Sequence, residues 1–294
     1  MSRKTKTVGG VLIALVATIV AFVYLSKLKI PVLEPAGPVG RKERNLIIEA
    51  VLLSMIVVIP VYVMLVGFAW KYRAGNKKAR YRPEMDGSTL LESIWWGIPI
   101  IIISILGVVT FKSSHDLDPF KQLSSNKQPL TVQAVALQWR WLFIYPEQGV
   151  ASMNYVKLPK DRPVEFQITS DAPMNSFWIP QLGGQIYAMS GMATQLHLLA
   201  DKSGDYLGES ANISGAGFAD MMFTASVTDS TGFDHWIDSA RQAPSSLDLA
   251  AYNLLAQPSH DSSVKQFSSA QTGLFNQVIA KYEAPIYFKP GEKS

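Results

Sequence analysis

Cysteine is absent from all 294 residues. That excludes disulfides, thiolate-bound metal, CxxC redox chemistry and lipid attachment through a thiol. Histidine is nearly as scarce, and His115, His197, His235 and His260 show no pair at ligand spacing. They read as satisfied or solvent-facing imidazoles. Charged residues make up only 17% of the chain against 48% apolar, whereas a soluble domain has about 25% charged. The net charge of +4 does not point to nucleic acid. Lys and Arg crowd beside apolar stretches, and no DNA-binding motif is present.

What is abundant is uncharged sequence of membrane-crossing length. Val8 to Leu25, Ala50 to Trp70 and Ser93 to Phe111 each approach the roughly 20 residues a helix needs to span hydrocarbon. Pro60 and Pro99 lie inside the second and third runs, where kinks are expected. Between those runs stands KYRAGNKKARYRPE, whose Lys71, Arg73, Lys77, Lys78, Arg80 and Arg82 mark a cytoplasmic turn, and Arg3, Lys4 and Lys6 place the N-terminus on the same side. Three crossings then put everything after Lys112 in the periplasm. Lys27, Lys29, Arg41, Lys42 and Arg44 would also lie outside, against the charge rule. The first run has the pattern of a signal peptide too, but it ends in Leu25-Ser26-Lys27 and not in a small-residue cleavage site, so retention as a helix is expected. Glu49 and Glu92 border the second and third runs. By position alone both read as interfacial carboxylates, Glu92 beside the belt residues Trp95 and Trp96.

From about Pro129 to Thr228 the pattern shifts to short strands. LTVQAVALQWRWLFIYP, VEFQITS, QIYAMSG, ATQLHLLAD and MMFTASVTD are separated by Pro- and Gly-rich breaks, which predicts an antiparallel sandwich or barrel. After Asp229 the chain reads as helical. Phe233, Trp236, Ile237 and Ala240 share one helical face, as do Leu274, Phe275, Val278, Ile279 and Tyr282. These faces need a surface to cover, either the sandwich or a partner. The expected division is 1–45 (N-terminal helix and linker), 46–111 (membrane hairpin), 112–228 (periplasmic β domain) and 229–294 (C-terminal helical extension).

FAWKYRAGNKK, LLESIWWGIPIIII, QWRWLFIYPEQG, MNSFWIPQLGGQIYAMSGM and ISGAGFADMMF, in this order, resemble subunit II of the haem-copper oxidases, most closely its cytochrome bo-type ubiquinol oxidase branch. The resemblance implies a cupredoxin-like sandwich. It also implies a place in the respiratory chain of the bacterial inner membrane, beside subunit I, subunits III and IV and membrane lipid, in a complex that uses ubiquinol, two haems and one copper, all held by subunit I. In the copper-bearing branch the sandwich grips a dinuclear copper centre. Its ligand positions fall here on Asn175, Ser210, Asn212, Ser214, Phe218 and Met221, of which only the methionine keeps a ligand. Hydroxyls are hard, un-ionised donors and cannot replace bridging thiolates, so no metal and no cofactor are expected on this chain. Met189, Met192, Met221 and Met222 are the runner-up metal donors, though methionine clusters more often fill cores. Trp139 and Trp141 resemble the aromatic motif beside the copper and read here as packing residues. Glu92 matches a glutamate at the cytoplasmic mouth of a proton channel. The alternatives are a copper-containing cytochrome c oxidase subunit II and a membrane-tethered scaffold domain unconnected with respiration. Lipoprotein processing, as the resemblance would suggest, is excluded by the missing cysteine.

Overall fold

The computed structural model describes residues 30–79 and 87–282. The first apolar run, Arg80 and Arg82 therefore lie outside the described residues. Helix α1 (Pro38–Lys71) and helix α2 (Thr89–Asp116) contain the second and third runs. Both extend beyond the uncharged stretch. α1 starts inside the expected linker because Pro38 occupies the first turn, where a missing N–H costs nothing. Among the described residues these are the two helices long and apolar enough to cross a membrane. Large apolar side chains are exposed along both, from Val51 to Phe68 and from Leu90 to Phe111, as hydrocarbon solvent requires. Ser54, Ser93 and Ser104 each donate a hydroxyl hydrogen bond of 2.8 Å to the carbonyl four residues back, so these groups are satisfied without water.

Two sheets follow. One runs β11-β3-β2-β1-β5-β8, formed by β1 (Leu130–Leu137), β2 (Arg140–Tyr145), β3 (Val150–Met153), β5 (Val164–Ser170), β8 (Thr194–Leu198) and β11 (Lys265–Phe267). The other runs β4-β10-β9-β6-β7, formed by β4 (Tyr155–Pro159), β6 (Asn175–Trp178), β7 (Ile186–Ala188), β9 (Gly204–Ser210) and β10 (Met222–Thr228). The sheets are mixed and not purely antiparallel, since β1 pairs parallel with β5 and β4 with β10. The chain changes sheet at Asn154. This residue takes a left-handed backbone, φ +55°, which Asn tolerates better than most, and its side-chain oxygen accepts the Trp141 N–H at 2.9 Å. Between the sheets lies an aromatic core in which Phe177 stacks on Phe223 (5.3 Å) and Trp141 packs edge-on to Phe177 (5.3 Å).

Strand alternation sends Val135, Leu137, Leu142, Ile144, Ala151 and Met153 to the opposite face of the larger sheet, and they are buried too. Their cover is the C-terminal extension: Leu247, Tyr252, Phe267, Leu274, Phe275 and Val278 form one apolar cluster with them. The two-sided burial explains why β1 and β2 read as almost continuous apolar runs. The extension comprises α3 (Ser230–Arg241), α4 (Leu249–Leu255) and α5 (Leu274–Ala280). α3 turns Phe233, Ile237 and Ala240 into the inter-sheet core, while α4 and α5 cover the outer face. The terminal helices thus pack on the sandwich. The extension is not wholly helical: Lys265–Phe267 pairs with Ala151–Met153 and forms the edge strand β11.

Two buried charges pin the extension. Arg140, 4% exposed, donates from Nη2 to the Leu255 and Gln257 carbonyls at 2.5 and 2.9 Å, satisfying the carbonyls that the end of α4 leaves open. Asp171 follows β5 and accepts from Tyr252 Oη (2.5 Å), Lys281 Nζ (2.6 Å) and Tyr282 Oη (2.5 Å). Burial pushes the Asp171 carboxyl up, but Lys281 and the two tyrosine hydroxyls outweigh it and hold the group below its ordinary value. A depressed folded-state pKa contributes stability above the unfolded value of about 3.9, lost as pH falls through the folded one. Hydrogen-exchange protection of residues 274–282, measured relative to the intrinsic rate at each pH, is therefore expected to fall below about pH 4. Asp171→Asn should lower it at pH 7 as well, by the equivalent of roughly 1.5–3 kcal/mol for lost charge-assisted hydrogen bonds.

Candidate functional site

The loop from Ser210 to Met221 joins β9 to β10, and Asn175 opens the neighbouring β6. The fold therefore gathers most of the positions singled out from the sequence. Ser210 Oγ donates to Asn175 Oδ1 at 3.0 Å, and the Ser210 N–H reaches the Met221 carbonyl at 3.2 Å. Asn175 Nδ2 donates to the Pro173 carbonyl (2.7 Å) and Asn212 Nδ2 to that of Met174 (2.8 Å). Ser210 and Asn175 are buried, and their polar atoms are engaged with each other and with backbone. Phe218 starts a short 3-10 turn, Phe218–Asp220, and sits half-buried. Met221 is 1% exposed in the inter-sheet core.

This donor set does not fit a dinuclear copper centre. At the positions where the resemblance puts two bridging thiolates, Ser210 presents a neutral hydroxyl already bonded to an amide, and the buried Ser214 hydroxyl has no hydrogen-bond partner among the described residues. At the two positions where the resemblance puts imidazoles, Asn175 offers an amide and Phe218 a benzene ring. Soft, mixed-valence copper needs thiolate and imidazole. The methionines do not replace them: Met221 faces the core while the next residue, Met222, is 43% exposed, as strand alternation dictates. Met192 is exposed and Met189 half-buried, and both accept from Thr169 Oγ1 through their backbone carbonyls. Among the described residues no three His, Cys, Asp or Glu side chains gather as a metal site.

Trp139 and Trp141 do not continue one strand as the sequence pattern suggests. Trp139 lies in the two-residue turn between β1 and β2 with φ +65°, whereas Trp141 is fully buried. The Trp139 indole lies against the loop: Nε1 donates to the Ser214 carbonyl at 3.4 Å. A Cβ on Gly217 would come within 2.3 Å of Trp139 Cδ2, so glycine is what lets the loop pass beneath the ring. On the ring's other contacts, His260 of the extension packs at 4.7 Å and pairs with Asp220 at 3.6 Å. His197 is buried on β8, with Nδ1 3.0 Å from the Pro119 carbonyl and Nε2 3.9 Å from Glu165. His115 bonds the Phe111 carbonyl inside α2 at 2.8 Å, and His235 is exposed on α3.

Glu92 stands apart from all of these. It occupies the first turn of α2, exposed, its N–H bonded to the Ser88 carbonyl at 2.9 Å. α2 has 28 residues, about 42 Å at 1.5 Å per residue, and the sandwich begins beyond its other end. Sequence reasoning missed Arg140 and Asp171 as pins of the extension. The one signal for Arg140 is a lone charge inside the apolar run QWRWLFIY.

Comparison with known proteins agrees with this arrangement. The chain matches the family descriptions "Cytochrome C oxidase subunit II, transmembrane domain" over residues 26–113, "Cytochrome C oxidase subunit II, periplasmic domain" over 148–228 and "COX Aromatic Rich Motif" over 241–285. It is 52% identical over 249 residues to the cytochrome bo(3) ubiquinol oxidase subunit 2 of Pseudomonas aeruginosa, covering 85% of this chain and 75% of that protein. It is 46% identical over 260 residues to the ubiquinol oxidase subunit 2 of Acetobacter aceti, covering 88% and 84%. The solved periplasmic domain of cytochrome oxidase subunit II from Bradyrhizobium japonicum aligns at 22% identity and a TM-score of 0.39, over 42% of this chain and 98% of that one. With membrane hairpin, cupredoxin-type sandwich and aromatic-rich extension in the family's order, the chain belongs to the haem-copper oxidase subunit II family, among its bo-type quinol oxidase members.

Proposed function

We propose that this chain is the non-copper subunit II of a proton-pumping ubiquinol oxidase in the bacterial inner membrane, supporting quinol oxidation and the reduction of O2 to water. The observation that carries the reading is the donor set of the 210–221 loop. A hydroxyl bonded to an amide, an aromatic ring and a single buried thioether offer no relay for electrons from a soluble donor. Electrons then reach the complex from a lipid-soluble donor within the bilayer. The haems and active-site copper belong to subunit I. This chain docks α1 and α2 beside it, caps it on the periplasmic side and meets subunits III and IV in the same assembly. Catalysis is a property of that assembly, and no catalytic group is placed here.

Glu92 is the residue with a functional role at the cytoplasmic side. An exposed carboxylate in the first turn of α2, at the membrane boundary, can collect protons from bulk water and hand them to a channel mouth in the neighbouring subunit. Geometry supports the collecting step, since nothing in the described chain covers the side chain.

Two outcomes are expected. A complex purified through this chain should oxidise ubiquinol and not reduced cytochrome c, and copper titrated into it should raise no near-infrared band from this subunit. Rapid cytochrome c oxidation, or a stoichiometric bimetallic signal assigned to the 210–221 loop, would reverse the reading. Glu92→Ala should lower quinol-driven turnover several-fold, less than the roughly 10²–10⁴-fold that a general acid–base group at the reacting atoms typically supplies, while haem content and subunit stoichiometry stay normal. Unchanged turnover would leave Glu92 an interfacial anchor.

A further inference from the structure

The two membrane helices stand apart at the end nearest the sandwich. They leave a slot of about 370 Å³ walled by Ala50, Leu53, Leu106, Val109 and Leu117. The slot is continuous with a recess of about 330 Å³, for the two share Leu46, Glu49, Val109, Ser113 and Leu117, and the recess adds Lys42, Lys112 and Asp116. Depth makes the pair meaningful. Ala50 begins and Phe111 ends the uncharged runs, so Glu49 and Lys112, one residue outside each, mark the hydrocarbon boundary on both helices. Ala50, Leu53, Leu106 and Val109 wall the slot inside that boundary and Leu117 outside it, while the charged recess runs from Glu49 and Lys112 at the boundary out to Lys42 and Asp116.

We infer that slot and recess together bind one zwitterionic phospholipid of the periplasmic leaflet, with phosphatidylethanolamine as the headgroup class. An acyl chain fills the slot, where neither helix supplies side chains to close the gap. The recess carries charges of both signs in a matching pattern: Lys42 and Lys112 for a phosphate, Glu49 and Asp116 for an ammonium group. Neither lysine, nor Glu49, makes an ion pair among the described residues, and Asp116 reaches only Lys121, at 3.7 Å. A purely anionic headgroup would leave the two carboxylates facing phosphate without a cation. A partner helix in the slot would bring apolar side chains to the slot alone and leave the four charges of the recess unmatched.

The test uses the whole complex, purified through this chain and reconstituted in nanodiscs of mixed phosphatidylethanolamine and phosphatidylglycerol. Tightly held lipid is counted by native mass spectrometry and extraction after transfer to detergent. Wild type should retain one more phosphatidylethanolamine per chain than Lys42→Ala/Lys112→Ala, which removes the phosphate contacts. Ala50→Phe, which fills the slot with a ring, should lose the same lipid, so two variants with unrelated defects converge. A phosphatidylethanolamine carrying a diazirine near its acyl terminus should crosslink to α1 or α2 peptides bearing Leu53 or Leu106 in wild type and not in Ala50→Phe. Equal lipid counts in all three proteins overturn the proposal. So does preferential retention of phosphatidylglycerol, or crosslinking confined to other subunits, which would mark the slot as a subunit interface. Donor specificity of the same preparations reads the oxidase assignment separately.

Discussion

The fold rests on a sheet that is buried on both faces. A sandwich needs only its inner face covered, and the outer face of an antiparallel sheet is ordinarily polar. Here β1, β2 and β3 carry apolar side chains outward as well, and the C-terminal extension is the surface that removes them from water. At about 1.5–3 kcal/mol for each fully buried large apolar side chain, this second cluster is an integral part of the fold and not an appendage. Hydrophobic burial is non-directional, however. The orientation of the extension comes from two charged residues: Arg140, which can satisfy the end of α4 in one place only, and Asp171, which draws Tyr252, Lys281 and Tyr282 to a single carboxylate.

The 210–221 loop is held by contacts within the protein. In metalloproteins, coordination bonds often supply the free energy that orders such a loop. Here ordering falls to other interactions: the Ser210–Asn175 hydrogen bond, the Ser210–Met221 backbone bond, burial of Met221 and the Trp139 ring over Gly217. Each is modest, of order 1 kcal/mol for a net hydrogen bond, but they act on one short segment. The loop's shape therefore does not depend on coordination bonds, and fold can be argued apart from metal function. His260 on Trp139 ties the extension to this loop too, by a contact that no local sequence pattern announces.

Legibility in the sequence followed the range of the interactions. The two membrane runs and the strands β1, β2, β5, β8 and β10 were visible because their periodicity and turn residues are local. β9 was not, since GDYLGES carries two glycines and two acids and its partners β6 and β10 decide its state. β11 was missed for the same reason: KQF is a strand only because β3 offers an edge. The pins were wholly hidden. Asp171 lies 81, 110 and 111 residues from its partners, and Arg140 lies 115 from Leu255. No window reading could join them. The candidate ligand positions are legible only through the family's spacing, and Glu92 by composition is one interfacial acid among several.

The β sandwich has a structural role that is independent of any metal, because the membrane hairpin begins against it. The Ala36 N–H bonds the Gln181 carbonyl, the Asp201 N–H bonds the Ala36 carbonyl and the Gly40 N–H bonds that of Leu182, at 2.8, 2.9 and 3.1 Å. Arg41 pairs with Asp201 at 2.5 Å. At Gly37 the approach is so close that a Cβ would lie 2.1 Å from the Leu199 carbonyl oxygen, leaving no room for any other residue. Ala36 precedes α1 and Gly40 lies in its first turn, where N–H groups have no partner within the helix. Remove the sandwich and they face the membrane surface unsatisfied, with the tilt of α1 no longer fixed. The β domain thus sets the geometry of the helix whose far end leads to the cytoplasmic turn. A structural role of that kind requires no metal.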